Sequence, residues 1–339
     1  MLKKRNLIIF TILIVILIGI SFASLASGRY PISIADLFYI FCGIKIPQMA
    51  ENQYQIIQEL VFTLRLPRLI VGILVGIALS MSGTTFQAIF RNPLVSPELL
   101  GVMGGALCGL MLGFILDFSL PVIQLMAFSG GLLAVGITLA LAYTYKGDRM
   151  LMLILSGIIT GGLFLVIFKL LEYKMNEDKV LPNLMPWAMG SLSLAHGKDI
   201  LLTLPFFAIG IAGMLICGKA LNVLSLGEEA ATLGVNPTIW RLLSILSATL
   251  VSSLTVTLAG IVAWIGLVVP HFGRLLTGQD NRLLLPLSAL LGAALLVLAD
   301  DLSRSAFIRE MPLGVTMSFI GIPLFLILLF RINKSKSMI

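Results

Sequence analysis

Long stretches without a charged side chain constrain this chain more than any other feature of its sequence. A charge near the middle of a bilayer costs at least ~2.5 kcal/mol, and about 20 apolar residues cross the hydrocarbon core as a helix. Charge-free gaps of about that length therefore predict transmembrane helices. The long gaps are Asn6–Gly28, Leu69–Phe90, Leu99–Leu116, Phe118–Tyr145, Met150–Phe168, Ile200–Gly218, Leu242–Gly273, Leu283–Ala299 and Met311–Phe330.

One of these gaps is too long for a single span. Leu242–Gly273 contains Gly260 and Gly266 near its middle and has room for two short helices. Together the gaps predict an all-α polytopic membrane protein with ten transmembrane helices. These helices are expected to form one domain over residues 1–339.

The charges at the two ends predict the orientation. An even number of spans puts both termini on one side, and basic residues occur in both Lys3–Arg5 and Arg331–Lys336. The positive-inside rule assigns that side to the cytoplasm. A cleaved signal peptide is the alternative for the first gap, since a basic start and an apolar run precede Ser24–Ala26.

Composition excludes several classes of protein. Hydrophobic residues make up 58% of the chain and charged residues 12%, whereas soluble domains are about 25% charged. A soluble enzyme, a disordered protein and a disulfide-rich secreted module are thereby excluded. The formal charge of +7 is scattered without a basic stripe, which indicates loops beside anionic membrane lipid rather than a nucleic-acid surface.

Motifs for nucleotide, metal or redox chemistry are absent. No G-x-x-x-x-G-K-[ST] sequence occurs, so this chain lacks that device for holding ATP phosphates. Neither His196 nor His271 has a second ligand at metal-binding spacing, so no catalytic residue, cofactor or metal is expected. No acidic residue lies deep inside a predicted span, which argues against an ion-coupled secondary transporter.

Glycine recurs at four-residue spacing in the predicted third span, at Gly101, Gly105, Gly109 and Gly113. Small residues at this spacing let helix backbones approach closely where lipid supplies no hydrophobic drive. We expect ordinary helix packing here. A helix that slides along a conduit is the alternative.

Several stretches carry a family resemblance. Leu64–Ala106 reads LRLPRLIVGILVGIALSMSGTTFQAIFRNPLVSPELLGVMGGA, and Leu221–Val235 reads LNVLSLGEEAATLGV. Ala259–Asp300 begins AGIVAWIGLVVPHFGR, Met311–Leu329 reads MPLGVTMSFIGIPLFLILL, and Pro186–Leu192 reads PWAMGSL. In order and spacing these closely resemble the FecCD-type permeases, the membrane subunits of ABC importers for ferric siderophores, haem and vitamin B12.

The resemblance implies a BtuC-like permease fold and a transport assembly. Two such chains would form a homodimer in the inner (plasma) membrane. Two separate ATP-binding cassette ATPase subunits would bind ATP inside, and a periplasmic or lipid-anchored substrate-binding protein would dock outside. This chain itself would not be an enzyme. The commonest cargo of the family is a ferric siderophore, with haem, cobalamin and molybdate or tungstate as alternatives.

The resemblance also assigns a role to three arginines. Arg65 and Arg68 flank Pro67 at the outer start of span two, and Arg304 lies just outside span nine. The positive-inside rule disfavours charges on this face, and arginine pairs bidentately with carboxylates. In the family, arginines at these positions receive acidic residues of the binding protein. Anchoring in lipid headgroups is the alternative.

The inner loop Leu221–Val235 is expected to contact the ATPase. Acidic residues suit the first turn of a short helix, Glu228–Gly234, and Pro237 follows its end. A solvated, capped helix is the alternative. The positions that match the coupling helix of the family are Gly227, Glu228, Glu229, Ala230, Ala231, Leu233 and Gly234.

The resemblance places the substrate route along spans five, eight and ten and the loop Glu172–Asp199. This nominates Trp187 and Met189 near its mouth. Two other classes stay open, an ion-coupled secondary transporter or channel and a polytopic membrane enzyme. Such an enzyme needs a cluster of polar residues at one depth, and the sequence shows none.

Overall fold

The computed structural model shows a helical protein and describes residues 2–28, 30–47, 49–144, 149–174, 189–193, 197–226, 236–306 and 310–336. The first helices are α1 (Leu2–Ala26), α2 (Ile34–Phe41), α3 (Glu51–Glu59), α4 (Leu66–Phe90), α5 (Val102–Ile115), α6 (Leu120–Thr144) and α7 (Arg149–Lys174). The others are α8 (Gly197–Leu224), α9 (Pro237–Ala259), α10 (Ile265–Thr277), α11 (Asn281–Ser305) and α12 (Leu313–Lys336). The all-α prediction is confirmed.

Within the described ranges, seven helical segments are long and apolar enough to cross a membrane. They are α1, the continuous segment from α3 through α4, and α6, α7, α8, α9 and α11. Three shorter apolar helices, α5, α10 and the first part of α12, occupy the other predicted positions. Every predicted span therefore coincides with an apolar helix. The number of ten crossings stays a prediction, because α5 with 14 residues and α10 with 13 residues fall below the usual spanning length.

The long gap Leu242–Gly273 is divided between two helices, as predicted. α9 ends at Ala259 and α10 begins at Ile265. Gly260 has a φ of +67° and Trp264 a φ of +72°, so the backbone has positive φ at both ends of the break. A bulky residue in that region is strained, and its surroundings must hold it there.

A π-helical turn, Leu60–Arg65, joins α3 to α4 into one continuous segment. The amide of Leu66 donates to the carbonyl of Val61, five residues back. Pro67 has no N–H and interrupts a regular α-helical ladder. The wider π-turn accommodates that interruption without ending the helix.

α4 lies at the centre of the bundle and packs against α8, α9, α10 and α11. A Cβ on Gly76 would overlap the carbonyl of Gly292 in α11. A Cβ on Gly83 would overlap the carbonyl of Gly266 near the start of α10. Glycine therefore lets α4 touch the backbones of both helices, which fixes α10 just after the break.

The glycine stripe of α5 packs against α6. A Cβ on Gly105 would overlap the carbonyl of Gly130, and one on Gly109 would overlap the carbonyl of Met126. The stripe is thus buried in a close contact between two helices. This confirms the packing interpretation for these positions.

Candidate functional site

Three non-helical segments meet where α9 breaks off. They are residues 190–193, 260–264 and 310–312. Ser191 N–H donates to the carbonyl of Ala259 at 2.9 Å, and Leu313 N–H donates to the carbonyl of Gly190 at 2.8 Å. These two bonds connect the segments into one junction.

Glycine permits the close approach at this junction. Gly190 has a φ of +77°, and a Cβ there would lie 2.5 Å from the carbonyl oxygen of Ile261. A Cβ on Gly314 would lie 2.6 Å from the carbonyl oxygen of Met189. A larger residue at either position would push the segments apart.

An apolar groove of about 530 Å³ opens beside the junction. Its lining comprises Met189, Ile261, Ala263, Gly314, Val315, Ser318, Phe319, Ile322 and Pro323. The hydroxyl of Ser318 donates to the carbonyl of Gly314 at 2.8 Å and is therefore already bonded. Phe319 is 69% exposed, so the groove lies on an open face of the chain. Such a surface suits a bulky organic molecule better than a small ion.

The structure describes only one of the two residues predicted to lie near the mouth of the substrate route. Met189 lines this groove and is 46% exposed. Trp187 lies outside the described residues. The passage of a substrate along the groove stays a prediction.

A cluster of charged side chains lies next to the groove. Arg68 Nη2 is 2.8 Å from Asp300 Oδ1 and 2.5 Å from Glu310 Oε1. Ser193 Oγ donates to Glu310 Oε2 at 2.9 Å. Ser193 and Glu310 belong to two of the segments that form the junction, so the charged cluster and the groove share a backbone.

Arg304 extends this charged cluster toward α1. Its Nε is 3.3 Å from Asp300 Oδ2, and its guanidinium also pairs with Asp301. Ser24, near the end of α1, donates to Asp301 Oδ1 at 2.7 Å. Ion pairs therefore join α4 to α11, and the Ser24 hydroxyl joins α1 to the same end of the bundle.

Arg65 binds main-chain oxygens instead of carboxylates. It is 7% exposed, and its guanidinium donates to the carbonyls of Leu25 and Tyr30, each at 2.5 Å. Carbonyls in the last turn of a helix have no intrahelical partner. Arg65 therefore caps the end of α1 and fixes the turn that follows it.

All three arginines predicted for docking line one pocket of about 390 Å³. Arg68 and Arg304 share the carboxylate of Asp300, whereas the donors of Arg65 are turned toward α1. The docking of a partner protein at this pocket stays a prediction.

The acidic half of the charged cluster was not expected from the sequence. The charge-free gap that predicts the ninth span ends at Ala299. In the structure α11 continues to Ser305 and contains Asp300, which is 4% exposed. Asp300 lies near the end of α11, so the expectation that no acidic residue lies deep inside a span is not contradicted. The expectation that no polar residues cluster at one depth missed this charged cluster. The four-residue spacing of Asp300 and Arg304 was the available signal, since such residues share a helix face.

The ionisation of Glu310 follows from its neighbours. Burial alone would raise its pKa, but the positive charge of Arg68 and hydrogen bonds from Arg68 and Ser193 outweigh burial, so the pKa of Glu310 is lowered. Glu310 is therefore ionised at neutral pH and occupies one edge of the Arg68 guanidinium.

Another carboxylate holds the break between α9 and α10. Glu98, in the connection between α4 and α5, accepts a hydrogen bond from the Trp264 N–H at 3.0 Å. Burial raises the pKa of Glu98 to about 7, and the hydrogen bond from Trp264 only partly opposes this. No sequence pattern had singled out Glu98.

The predicted coupling residues, from Gly227 to Gly234, lie outside the described residues. The helices on either side of them are anchored. Asn222, near the end of α8, donates to Asp280 Oδ1 at 2.6 Å and accepts from the Asn281 N–H at 2.7 Å. Asn236 caps the start of α9 with its side chain.

Several known proteins are similar to this chain. The sequence profile of the FecCD transport family matches residues 13–331. The molybdate import system permease protein MolB of Haemophilus influenzae is 34% identical over 314 residues, covering 92% of each chain. The hemin transport system permease protein HmuU of Yersinia pestis is 38% identical over 286 residues, covering 81% of this chain and 84% of the relative.

A solved structure, described as a metal-chelate type ABC transporter in an inward-facing conformation, has the same fold. It is 33% identical in sequence and aligns with a TM-score of 0.80. The alignment covers 96% of this chain and 99% of that chain.

Proposed function

This chain belongs to the FecCD transport family and is the membrane permease subunit of an ABC importer, and we propose that its cargo is a metal chelate, specifically a ferric siderophore. The apolar groove carries this proposal. A siderophore encloses its iron in an organic shell, so the groove need not supply metal ligands. Apart from Ser318, the side chains that line the groove are apolar.

Molybdate and tungstate fit this groove poorly. Each is a small dianion that would lose its hydration to apolar walls without compensating donors. Haem and cobalamin remain competing cargoes, because both are bulky organic chelates. The molybdate and hemin permeases are similarly close in sequence, so identity alone does not choose between cargoes.

The proposal is tested by binding and uptake. The cognate binding protein is titrated with a ferric siderophore, haem, cobalamin and molybdate, and uptake of the bound ligand is then followed in cells. Val315→Trp fills the groove and should remove most of the uptake, whereas Leu125→Trp adds the same ring to an exposed position of α6 outside the groove and should not. A binding protein selective for molybdate, or wild-type uptake by the folded Val315→Trp variant, would contradict the proposal.

The charged cluster is the proposed seat of the binding protein. Glu310 already forms an ion pair with Arg68, and an acidic residue of the binding protein would replace Glu310 in that pair. Ser193 links Glu310 to the junction beside the groove, so that exchange would act on the groove mouth. Arg304 supplies the second docking charge. Arg65 contributes by holding the end of α1 in place.

The proposed assembly pairs two copies of this chain. Phe319 and Ile322 leave apolar surface exposed along the open side of the groove, and a second copy facing it would enclose one pathway. The segment Gly227–Gly234 is proposed as the coupling helix. The end of α8 and the start of α9, which flank it, lie opposite the charged cluster. Both termini would then lie on the cytoplasmic side of the inner membrane.

In the proposed cycle, docking and ATP act at opposite ends of the permease. The binding protein delivers its ligand to the groove mouth, and closure of the two ATPase subunits pushes the coupling helices. The dimer then switches between outward-open and inward-open states, and the cargo passes chemically unchanged. α4 contacts both the charged cluster, through Arg68, and the start of α10, through Gly83, so it is the element that connects these events.

A further inference from the structure

A cleft of about 500 Å³ lies between the ends of α4, α6, α7 and α9, at the end of the bundle opposite the charged cluster. We propose that this cleft binds one anionic phospholipid, with its phosphate beside the donors of Arg91, Asn92 and Arg241 and an acyl chain along the apolar walls. The cleft shares no lining residue with the groove or with the charged cluster. The proposal therefore stands independently of the cargo.

Three side chains with hydrogen-bond donors line the cleft, and two of them have a buried donor without an acceptor. Asn92 is 3% exposed; its Oδ1 accepts from the Leu94 N–H at 2.9 Å, while its Nδ2 has no partner. Arg241 Nε is also buried and unpartnered. Arg91, held at a φ of +51° where α4 ends, adds a second guanidinium to the lining.

These donors are chemically suited to bind an anion. In the part of the chain that the structure describes, neither Arg91 nor Arg241 forms an ion pair. A buried donor without a partner costs free energy, and two guanidinium groups beside one amide match the oxygens of a phosphate. A ligand with anionic oxygens would satisfy all three side chains at once.

The remaining lining is apolar. Leu139 and Ala142 of α6, Leu153 of α7 and Ile245 of α9 provide these walls. Tyr143, also in the lining, is 68% exposed, and tyrosine is enriched where a membrane meets water. A phospholipid matches this lining, because its anionic headgroup suits the basic part of the cleft and its acyl chain suits the apolar part.

The surroundings favour lipid over a free anion or an acidic protein segment. Leu151 and Leu155, on either side of Leu153, are 50% and 42% exposed, so this part of α7 has an apolar outer surface for acyl chains. A free phosphate would leave the apolar walls uncovered. Basic pockets between transmembrane helices are known to bind acidic headgroups on the cytoplasmic side, which is where the positive-inside rule places this end.

The test measures lipid binding to the purified permease by native mass spectrometry. Phosphatidylglycerol and phosphatidylcholine with identical acyl chains are titrated separately. Wild-type protein should retain phosphatidylglycerol selectively, and the double variant Arg91→Gln/Arg241→Gln should bind it about tenfold more weakly. Lys219→Gln removes an exposed charge near the same end of α8, outside the cleft, and should behave as wild type.

Equal retention of the two lipids, or undiminished phosphatidylglycerol binding by the double variant, would overturn the proposal. Inorganic phosphate is added in a parallel thermal-melting series. If it stabilises the protein as much as phosphatidylglycerol does, the cleft is a free-anion site and the lipid assignment is wrong.

A second variant, which keeps both arginines, tests lipid binding independently of whether the double variant folds. Ile245→Trp fills the apolar half of the cleft, and size-exclusion chromatography establishes that it remains folded. It should lose phosphatidylglycerol binding. Wild-type binding by the folded Ile245→Trp protein would show that no acyl chain occupies the cleft.

Discussion

At the scale of single residues, the charged cluster shows how two nearby arginines acquire different roles. Arg65 donates to main-chain carbonyls at the end of α1, whereas Arg68 pairs with Asp300 and Glu310. Removal of Arg65 would leave buried carbonyls without donors, which makes it structural. Arg68 pairs with the partly exposed carboxylate of Glu310, and we propose that an acidic residue of the binding protein replaces it.

The exchange can be tested at Glu310. Glu310→Gln should strengthen docking of the binding protein about fivefold, because an ion pair at a partly exposed site is worth up to about 1 kcal/mol and the variant removes the resident competitor. Arg304→Glu should weaken docking. Affinity is measured with the permease in nanodiscs at two salt concentrations, and Arg282→Gln, near the opposite end of α11, is the control. The same direction of change in Glu310→Gln and Arg304→Glu would refute the exchange.

The stability of the break should depend on pH through Glu98. Burial raises the pKa of Glu98 to about 7, so the folded protein keeps a proton that the unfolded chain releases at a lower pH. Stability should therefore fall as pH rises from about 5 to about 7 and stay level above that. Glu98→Gln should remove this part of the pH dependence of the melting temperature. Parallel wild-type and Glu98→Gln curves would contradict the assignment, and Glu59→Gln, an exposed position on α3, serves as control.

At the scale of elements, the helices were predictable and the contacts between them were not. Charge-free gaps located each apolar helix, because an unpaired charge in the hydrocarbon core is costly and its absence is visible in the sequence alone. The division of Leu242–Gly273 was readable for the same reason. The pairing of Arg68 with Asp300 joins residues 232 positions apart, and no local pattern encodes which distant helix face will meet another.

The close contact between α5 and α6 gives a prediction at this scale. Gly109→Ala should destabilise the protein by about 1–3 kcal/mol, because its methyl group would overlap the carbonyl of Met126. Gly136→Ala in α6 meets open space and should be neutral or slightly stabilising, since alanine favours helix. Thermal unfolding in detergent compares the two variants. Equal melting temperatures would argue against the backbone contact.

The proposed coupling helix gives a second prediction. Ala230→Trp, or Glu228→Arg with Glu229→Arg, should leave the permease folded and dimeric but separate it from its ATPase, because the helix would no longer fit a groove of that partner. Co-purification from membranes measures the loss, with the charge reversal Glu59→Arg at the other end of the bundle as control. ATPase recovered at wild-type stoichiometry, with substrate-stimulated hydrolysis intact, would show that this segment is not the coupling element.

At the scale of the whole molecule, the bundle separates its tasks between two ends. One end carries the charged cluster and the groove, and the other carries the end of α8, the start of α9 and the cleft proposed to bind lipid. α4 and α11 run between these ends and touch at Gly76 and Gly292. Membership of the family was readable from motifs that lie on these helices. Cargo identity was not, because the groove proposed to carry the cargo is built from three separate segments.

We propose that this chain carries its cargo at the expense of ATP hydrolysed by a partner subunit. Uptake of a ferric siderophore is measured in proteoliposomes that contain the permease, its ATPase and its binding protein. We predict that uptake requires ATP, stops when the ATPase carries a hydrolysis-blocking substitution, and continues when a protonophore is added. Uptake that survives inactivation of the ATPase and collapses with the protonophore would contradict it and identify an ion-coupled transporter.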